Sequence, residues 1–576
     1  MALGILEDSK LDNVPGTTYV LDDDGSSVET PVPEESHLKY DKSGAVPIIL
    51  VPQPSDDPND PLNTDKLQNW PLWKRDLILV ILSVTSVICA TTSSIMAANT
   101  VTIALNYTID FTQAALLTGY HLCGVGVAGI IIVPTARVWG KRHLFLLGNL
   151  IIVISCIWAG LSKRNHTSLI WARIWQGVGL APFEALVNAV VGDLFFVHER
   201  GKRMALSNVA LFGGAFLTPV IAGKMTHTLG WEWTFYFIAI FSGVCLPFVY
   251  FFVPETAYRR AQHLNTDFSG DVDRRTARAA AQGTIEKEAD ADSAAGPSSA
   301  AVAANGDTVQ PDVPRKATFV ESLALFNGRK TDESFWKLLL RPFPLFLHPS
   351  IAWLPQACLI QGVIIGWTVF IGVVLAAIFL GPPLWFTEEQ TGYLYTGAFI
   401  GSVVGLFLSG LFSDWSANLL IRANKGKYEP EFRIWLVLPQ LVFSGIGLFG
   451  FGFASGNVSK YGWVIPDVFF MFVLIGMVMG AVASALYIVD AHREIAIESF
   501  TCLLVFKNMF SFLLTYFAYN WVVLGGAKKV FLIIGGIEVA VCLLSVPMCK
   551  KPQLSPPFFT VSHFLTRLIH RHLRQT

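Results

Sequence analysis

Long apolar runs alternate with short polar stretches along this chain, and twelve of the runs are long enough to cross a bilayer. A hydrocarbon core about 30 Å thick needs roughly 20 helical residues at 1.5 Å rise each. The pattern predicts spans near 77–97, 113–133, 144–161, 168–192, 204–224 and 233–252. After a polar stretch it predicts six more, near 350–379, 391–412, 432–453, 463–489, 500–521 and 530–548. Two sets of six imply an all-α integral membrane protein made of two six-helix halves, the plan of a transporter built from repeats. The domains follow. A tail, 1–70, reads as disordered and is broken by Pro52, Pro54, Pro58 and Pro61. The N-terminal half is 71–253, the central loop 254–345, the C-terminal half 346–549, and a basic tail covers 550–576.

Composition narrows the class. The chain is 52% hydrophobic and only 15% charged, with a mean hydropathy of +0.49, which a soluble protein of 576 residues would not carry. A net charge of −1 gives no reason to expect a nucleic-acid partner. Charge placement says more. Lys and Arg gather before the first span (Lys74, Arg75) and in every second loop, at Arg137, Lys141 and Arg142, at Arg200, Lys202 and Arg203, at Arg422, Lys425, Lys427 and Arg433, and at Arg493. Lys550 and Lys551 follow the last span. Cytoplasmic loops carry such an excess, so both termini and the central loop are expected in the cytoplasm. Lys163, Arg164, Lys528 and Lys529 are a minority on the other side. Three N-x-S/T sequons, at Asn106, Asn165 and Asn457, all fall in loops that the charge rule puts outside, which makes them glycosylation candidates. The eight cysteines lie in or beside apolar runs with no CxxC pair, so they read as small core residues, and neither a disulfide framework nor a metal site is expected. No cofactor is implied, and no Walker A loop is present to use ATP.

Ionisable residues inside the spans are the candidate chemistry, because they are costly there. The fourth span holds Arg173, Gln176 and Glu184. Arg173 and Glu184 are eleven residues apart, so they share a face about 16 Å apart along the axis and cannot pair with each other. Each needs a cavity or a partner on another helix. A substrate or proton role and a purely structural network are both open readings. Lys507 and Asn508 lie in the eleventh span, with Glu498 near its start. Phe510, Phe512, Tyr516 and Trp521 follow them and could line a cavity for cations, or simply pack.

The polar segments are uneven. The run 294–304 in the central loop is low-complexity and reads as disordered. Phe335, Trp336 and Leu338 to Leu340 suggest a short amphipathic helix on the membrane before the seventh span. Residues 561–574 alternate apolar positions with Arg567, Arg571 and Arg574, as an interfacial helix or an unstructured basic tail would.

Several strings resemble a known family. Arg173-Ile-Trp-Gln176-Gly177-Val-Gly179 resembles the R-x-x-Q-G-x-G motif of the fourth span in the major facilitator superfamily, above all in its proton-coupled antiporters. Gly214-Ala-Phe-Leu-Thr218-Pro219-Val-Ile-Ala222-Gly223 is similar to the antiporter motif of the fifth span, with Thr218 and Ala222 in place of two glycines. Arg137-Val-Trp-Gly140-Lys141-Arg142 resembles the end of the family's loop 2–3 motif, with Arg137 at its Asp position, and Gly410-Leu-Phe-Ser-Asp414 resembles the matching loop 8–9. Asp60-Pro-Leu-Asn63, Asn69-Trp-Pro71, Pro254-Glu-Thr256 and the stretch from Asn424 to Arg433 narrow the likeness to the fungal 12-span drug:proton antiporters, in the branch of histidinol and polyamine permeases. Val191-Gly-Asp193 and Ile488-Val-Asp490 echo each other between the halves. The resemblance implies that Arg137, Arg142 and Asp414 latch the halves in one state.

The expected function is a secondary active transporter, coupled to protons, for small organic compounds that are cationic or amphipathic. A nutrient-sensing receptor on the same fold is the alternative. An enzyme is not expected, since no Cys/His or His/Asp cluster converges. The expected setting is a multi-pass monomer in the lipid bilayer, in the plasma membrane first and a vacuolar or other internal membrane second.

Overall fold

The computed structural model describes residues 70–258, 318–343, 353–380, 384–423, 430–491 and 496–545, with 427–428 and short stretches between 18 and 63. The low-complexity run, Arg493, Lys550, Lys551 and the 561–574 stretch lie outside the described residues. Among the described residues there are twelve long helices. In the N-terminal half they are α1 (Leu72–Ser94), α2 (Phe111–Trp139), α3 (Arg142–Leu161), α4 (His166–Leu194), α5 (Val197–Leu229) and α6 (Trp231–Phe252). In the C-terminal half they are α7 (Trp353–Phe379), α8 (Thr396–Ala423), α9 (Val437–Ser455), α10 (Val464–Ala491), α11 (Ala496–Gly525) and α12 (Ala527–Leu543). Among the described residues, eleven stretches are long and apolar enough to span a membrane. The 17 residues of α12 rise about 25 Å, just short of the hydrocarbon core. Two antiparallel pairs of two-residue strands, Thr18–Tyr19 with Lys427–Tyr428 and Tyr40–Asp41 with Ile48–Ile49, are the only sheet among the described residues.

The halves repeat each other. In the first, α2 packs on α4, α3 on α4, α1 on α5 and α3 on α6. The same pairs recur in the second as α8 on α10, α9 on α10, α7 on α11 and α9 on α12. The chain reverses in the same way at the matching places. A single glycine links α5 to α6 (Gly230, φ 97°) and α11 to α12 (Gly526, φ 77°), in a left-handed conformation that a side chain would strain. Each half has its own apolar core. Phe145 meets Phe183 at 5.5 Å in the first, and Phe451 meets Phe531 at 4.7 Å in the second. Outside these cores, Leu147, Leu150 and Ile154 of α3 and Phe241, Phe248 and Phe252 of α6 are exposed, as a lipid-facing surface requires.

The halves join along α2 with α11 and α5 with α8, a pairing that the repeat itself relates. Small residues let α2 approach α11. A side chain at Gly119 would meet Thr515 at 2.2 Å, and one at Gly129 would meet Leu504 at 2.3 Å. At the end bearing the sequons, α5 meets the short helix Glu388–Tyr393. Gly223 lies against the Glu388 carbonyl, and Gly392 against that of Pro219. Lys224 pairs with Glu389 at 2.7 Å, and Thr102 donates to Glu388 at 2.7 Å. That end is closed.

Candidate functional site

Glu184 and Lys507 meet. Glu184 is near the middle of α4 and Lys507 near the middle of α11, and their side chains form an ion pair between the two halves. Each side chain keeps about a tenth of its surface open (12% and 10%), so the pair borders the space between the halves. Glu184 thus has a partner on another helix, one of the two surroundings open to it. Asn508, next along α11, turns elsewhere. Its amide donates to Leu504 O of its own helix at 3.0 Å, and its Cβ lies 3.4 Å from where a side chain on Gly126 of α2 would begin. Consecutive helical residues point about 100° apart, so Lys507 and Asn508 serve different neighbours.

Arg173 is fully buried one to two turns from the sequon-bearing end of α4. Its Nη1 donates to Thr92 O of α1 at 2.7 Å and to Gln176 Oε1 at 2.7 Å, and its Nε donates to Leu117 O of α2 at 3.2 Å. Gln176 in turn donates to Ser155 O of α3 at 3.4 Å. The two side chains therefore tie α4 to three neighbouring helices. They can reach because α2 and α4 are nearly in backbone contact: a Cβ at Gly177 would sit 2.0 Å from His121 O. Arg173 and Glu184 thus face separate surroundings, the first inside one half and the second between the halves.

The fifth-helix motif is a packing device. Gly214 lies against Val87 of α1, and Gly223 against the C-terminal half. Pro219 has no N–H to give to Ala215 O, and Ser94 of α1 donates to that oxygen instead. Thr218, in place of a glycine, returns its hydroxyl to Gly214 O at 2.7 Å.

At the basic end, Arg137 pairs with Glu498 of α11. Two residues of the central loop complete the cluster: Arg341 lies 3.1 Å from Glu498, and Glu333 lies 3.6 Å from Arg137. Arg142 is occupied otherwise. Its guanidinium donates to Ser322 O at 2.6 Å, Ala324 O at 2.9 Å and Tyr250 O at 2.7 Å, while Glu255 accepts from the backbone N–H of Lys141 and Arg142 at 3.0 Å each, capping α3. Lys141 donates to Asp193 at 2.5 Å. The expected loop 8–9 is corrected. α8 runs on to Ala423, so Gly410 to Asp414 are helical, because neither Pro nor a left-handed glycine interrupts the run. The Asp414 side chain lies outside the described residues.

The four aromatics of α11 mostly pack. Phe510 meets Trp367 at 5.7 Å, Trp521 meets Phe370 at 5.7 Å, and Tyr516 is exposed. The sequence reading passed over Glu538, a fully buried acid in α12 that accepts from Gln440 of α9 at 3.0 Å, although a lone acid in an apolar run was visible. No group of His, Cys, Asp and Glu that could hold a metal occurs among the described residues.

Two repeated six-helix bundles meeting around a central charge pair define a secondary transporter. Residues 81–496 match the model of the Major Facilitator Superfamily, and the chain belongs to that family. It is 25% identical over 561 residues to an uncharacterized MFS-type transporter of Schizosaccharomyces pombe, covering 94% of this chain and 93% of that one. It is 23% identical over 568 residues to protein HOL1 of Saccharomyces cerevisiae, covering 93% and 94%. Among solved structures, the xylose transporter XylE from E. coli, in a partially occluded inward-open conformation, superposes with a TM-score of 0.54 at 11% identity, covering 82% of this chain and 97% of that one.

Proposed function

We propose that this transporter couples the movement of small organic cations to protons through the Glu184–Lys507 pair. The observation that carries the reading is that this intramembrane carboxylate has its ion-pair partner in the opposite half. A proton on Glu184, or a cationic group bound there, displaces Lys507 and loosens a tie between the halves. Occupancy of one carboxylate is then linked to the relative position of the bundles, as alternating access requires. A proton and a cation competing for the same carboxylate gives exchange in opposite directions. Arg173 and Gln176 hold the α4 frame that presents Glu184. The same reading places the basic end in the cytoplasm, the exposed Asn106, Asn165 and Asn457 outside, and the working unit as a monomer in the plasma membrane.

The test is uptake of labelled organic amines by vesicles containing the purified protein, with and without an imposed pH gradient. Flux driven by the gradient, abolished by Glu184→Gln in a protein that still inserts and folds, is the expected result. Unchanged gradient-driven flux in that variant would remove Glu184 from the mechanism.

A further inference from the structure

The central-loop segment 318–343 packs on the basic ends of α2, α3 and α11. Arg142 fastens it through Ser322 O and Ala324 O, and Lys330 N donates to Val138 O at 2.8 Å. The Phe326 ring lies tilted against His143 at 4.8 Å, and that of Phe335 tilted against Trp139 at 5.5 Å. Of the helix Phe335–Leu340, Leu338 is buried against the protein while Trp336 and Leu340 stand 68% and 60% exposed. Phe319, Val320, Phe326 and Phe343 are exposed too. An apolar surface of this extent on one segment calls for a covering partner. Its neighbours say which. His143 is one turn from the exposed Leu147 of α3, and Tyr250, whose carbonyl binds Arg142, adjoins the exposed Phe251 and Phe252 of α6. The patch therefore continues the lipid-facing surface of the bundle. Its four basic residues (Arg329, Lys330, Lys337 and Arg341) face three acidic ones (Glu321, Asp332 and Glu333), a net +1, too small for seating by headgroup charge.

We propose that residues 318–343 form a strap seated in the membrane interface, with Val320, Phe326, Trp336 and Leu340 entering the boundary between headgroups and acyl chains. The strap carries Glu333 and Arg341, so a lipid-held element joins the Arg137–Glu498 contact between the halves.

The test attaches bimane to Trp336→Cys, and in a second protein to Val320→Cys, in phosphatidylcholine vesicles, with the unsubstituted protein as background. Asp332→Cys is the water-facing control. At 336 and 320, lipids spin-labelled roughly 5–10 Å below the headgroups should quench most, and aqueous iodide should have lost its access. At 332, iodide should quench. Iodide quenching at both apolar positions would overturn the strap, and protection from lipid and iodide alike would mean that protein covers the face. Replacing phosphatidylcholine by phosphatidylserine should leave the depths unchanged; seating that needs the anionic lipid would also overturn the proposal. No outcome depends on transport, so a failure here is separate from a failure of proton coupling.

Discussion

Arg173 shows how one buried side chain can organise a bundle. It replaces water at two backbone carbonyls and one amide oxygen, on three different helices or turns, and its planar fork does so without strain. A lysine at this position has one nitrogen and cannot reach both α1 and α2. Arg173→Lys should therefore lower stability by about 2–4 kcal/mol, a few degrees of melting temperature in detergent, with a larger loss for alanine. An unchanged melting temperature would mean that the network is slack. Lys507 differs, because its partner is a single carboxylate. Lys507→Gln should free Glu184 from its tie to the other half and lower gradient-driven flux several-fold while the protein still folds. Flux into vesicles under an imposed pH gradient reads that loss, and unchanged flux would make the pair structural only.

Helices in this chain approach closely where they lack side chains. Gly177 allows α4 to touch α2 at His121, and Gly177→Ala should push the two apart, costing about 1–3 kcal/mol or more. Thermal unfolding reads that loss, and a neutral result would show that the bundle yields there at little cost. The elements themselves were legible: every predicted span overlaps one of the long helices. Helix ends were not. α8 continues eleven residues past the predicted 412, and α5 begins seven before 204, because amphiphilic turns beyond the bilayer keep their hydrogen bonds without being apolar. The fifth-helix motif was legible as a string, but the donation from Ser94 that supports Pro219 depends on packing between helices distant in sequence.

Contacts bridge the halves at both ends of the molecule, α5 with Glu388–Tyr393 at the sequon-bearing end and a cluster that includes the central loop at the basic end. α4 and α10 make no extended contact among the described residues. Glu498 accepts from both Arg137 and Arg341, so it holds one residue of each half and one of the loop in a single cluster. Glu498→Gln should weaken that end and speed interconversion of the two states. The measurement is the rate of distance change between spin labels on α2 and α11, and an unchanged rate would assign the cluster to folding alone. The sequence displayed Arg173, Glu184 and Lys507 as expensive intramembrane residues. It could not display that Glu184 belongs with Lys507, since no periodicity links residues on opposite sides of the central loop. Glu333 and Arg341 were hidden for the same reason: in sequence they are ordinary charges of a polar loop.

The opposite closure has a different character. Lys224 is 56% exposed in its pair with Glu389, and His227 lies 3.9 Å from the same carboxylate. Attractions between water-facing charges are screened by dissolved ions over about 8 Å at physiological ionic strength. The contact at that face is therefore held in part by charges that the solution bathing it can weaken. Raising the salt concentration on that side at constant osmolarity should shift the resting population toward the form open to it, and Lys224→Gln should abolish the response. Brine and dilute water would then set different resting postures for the same polypeptide.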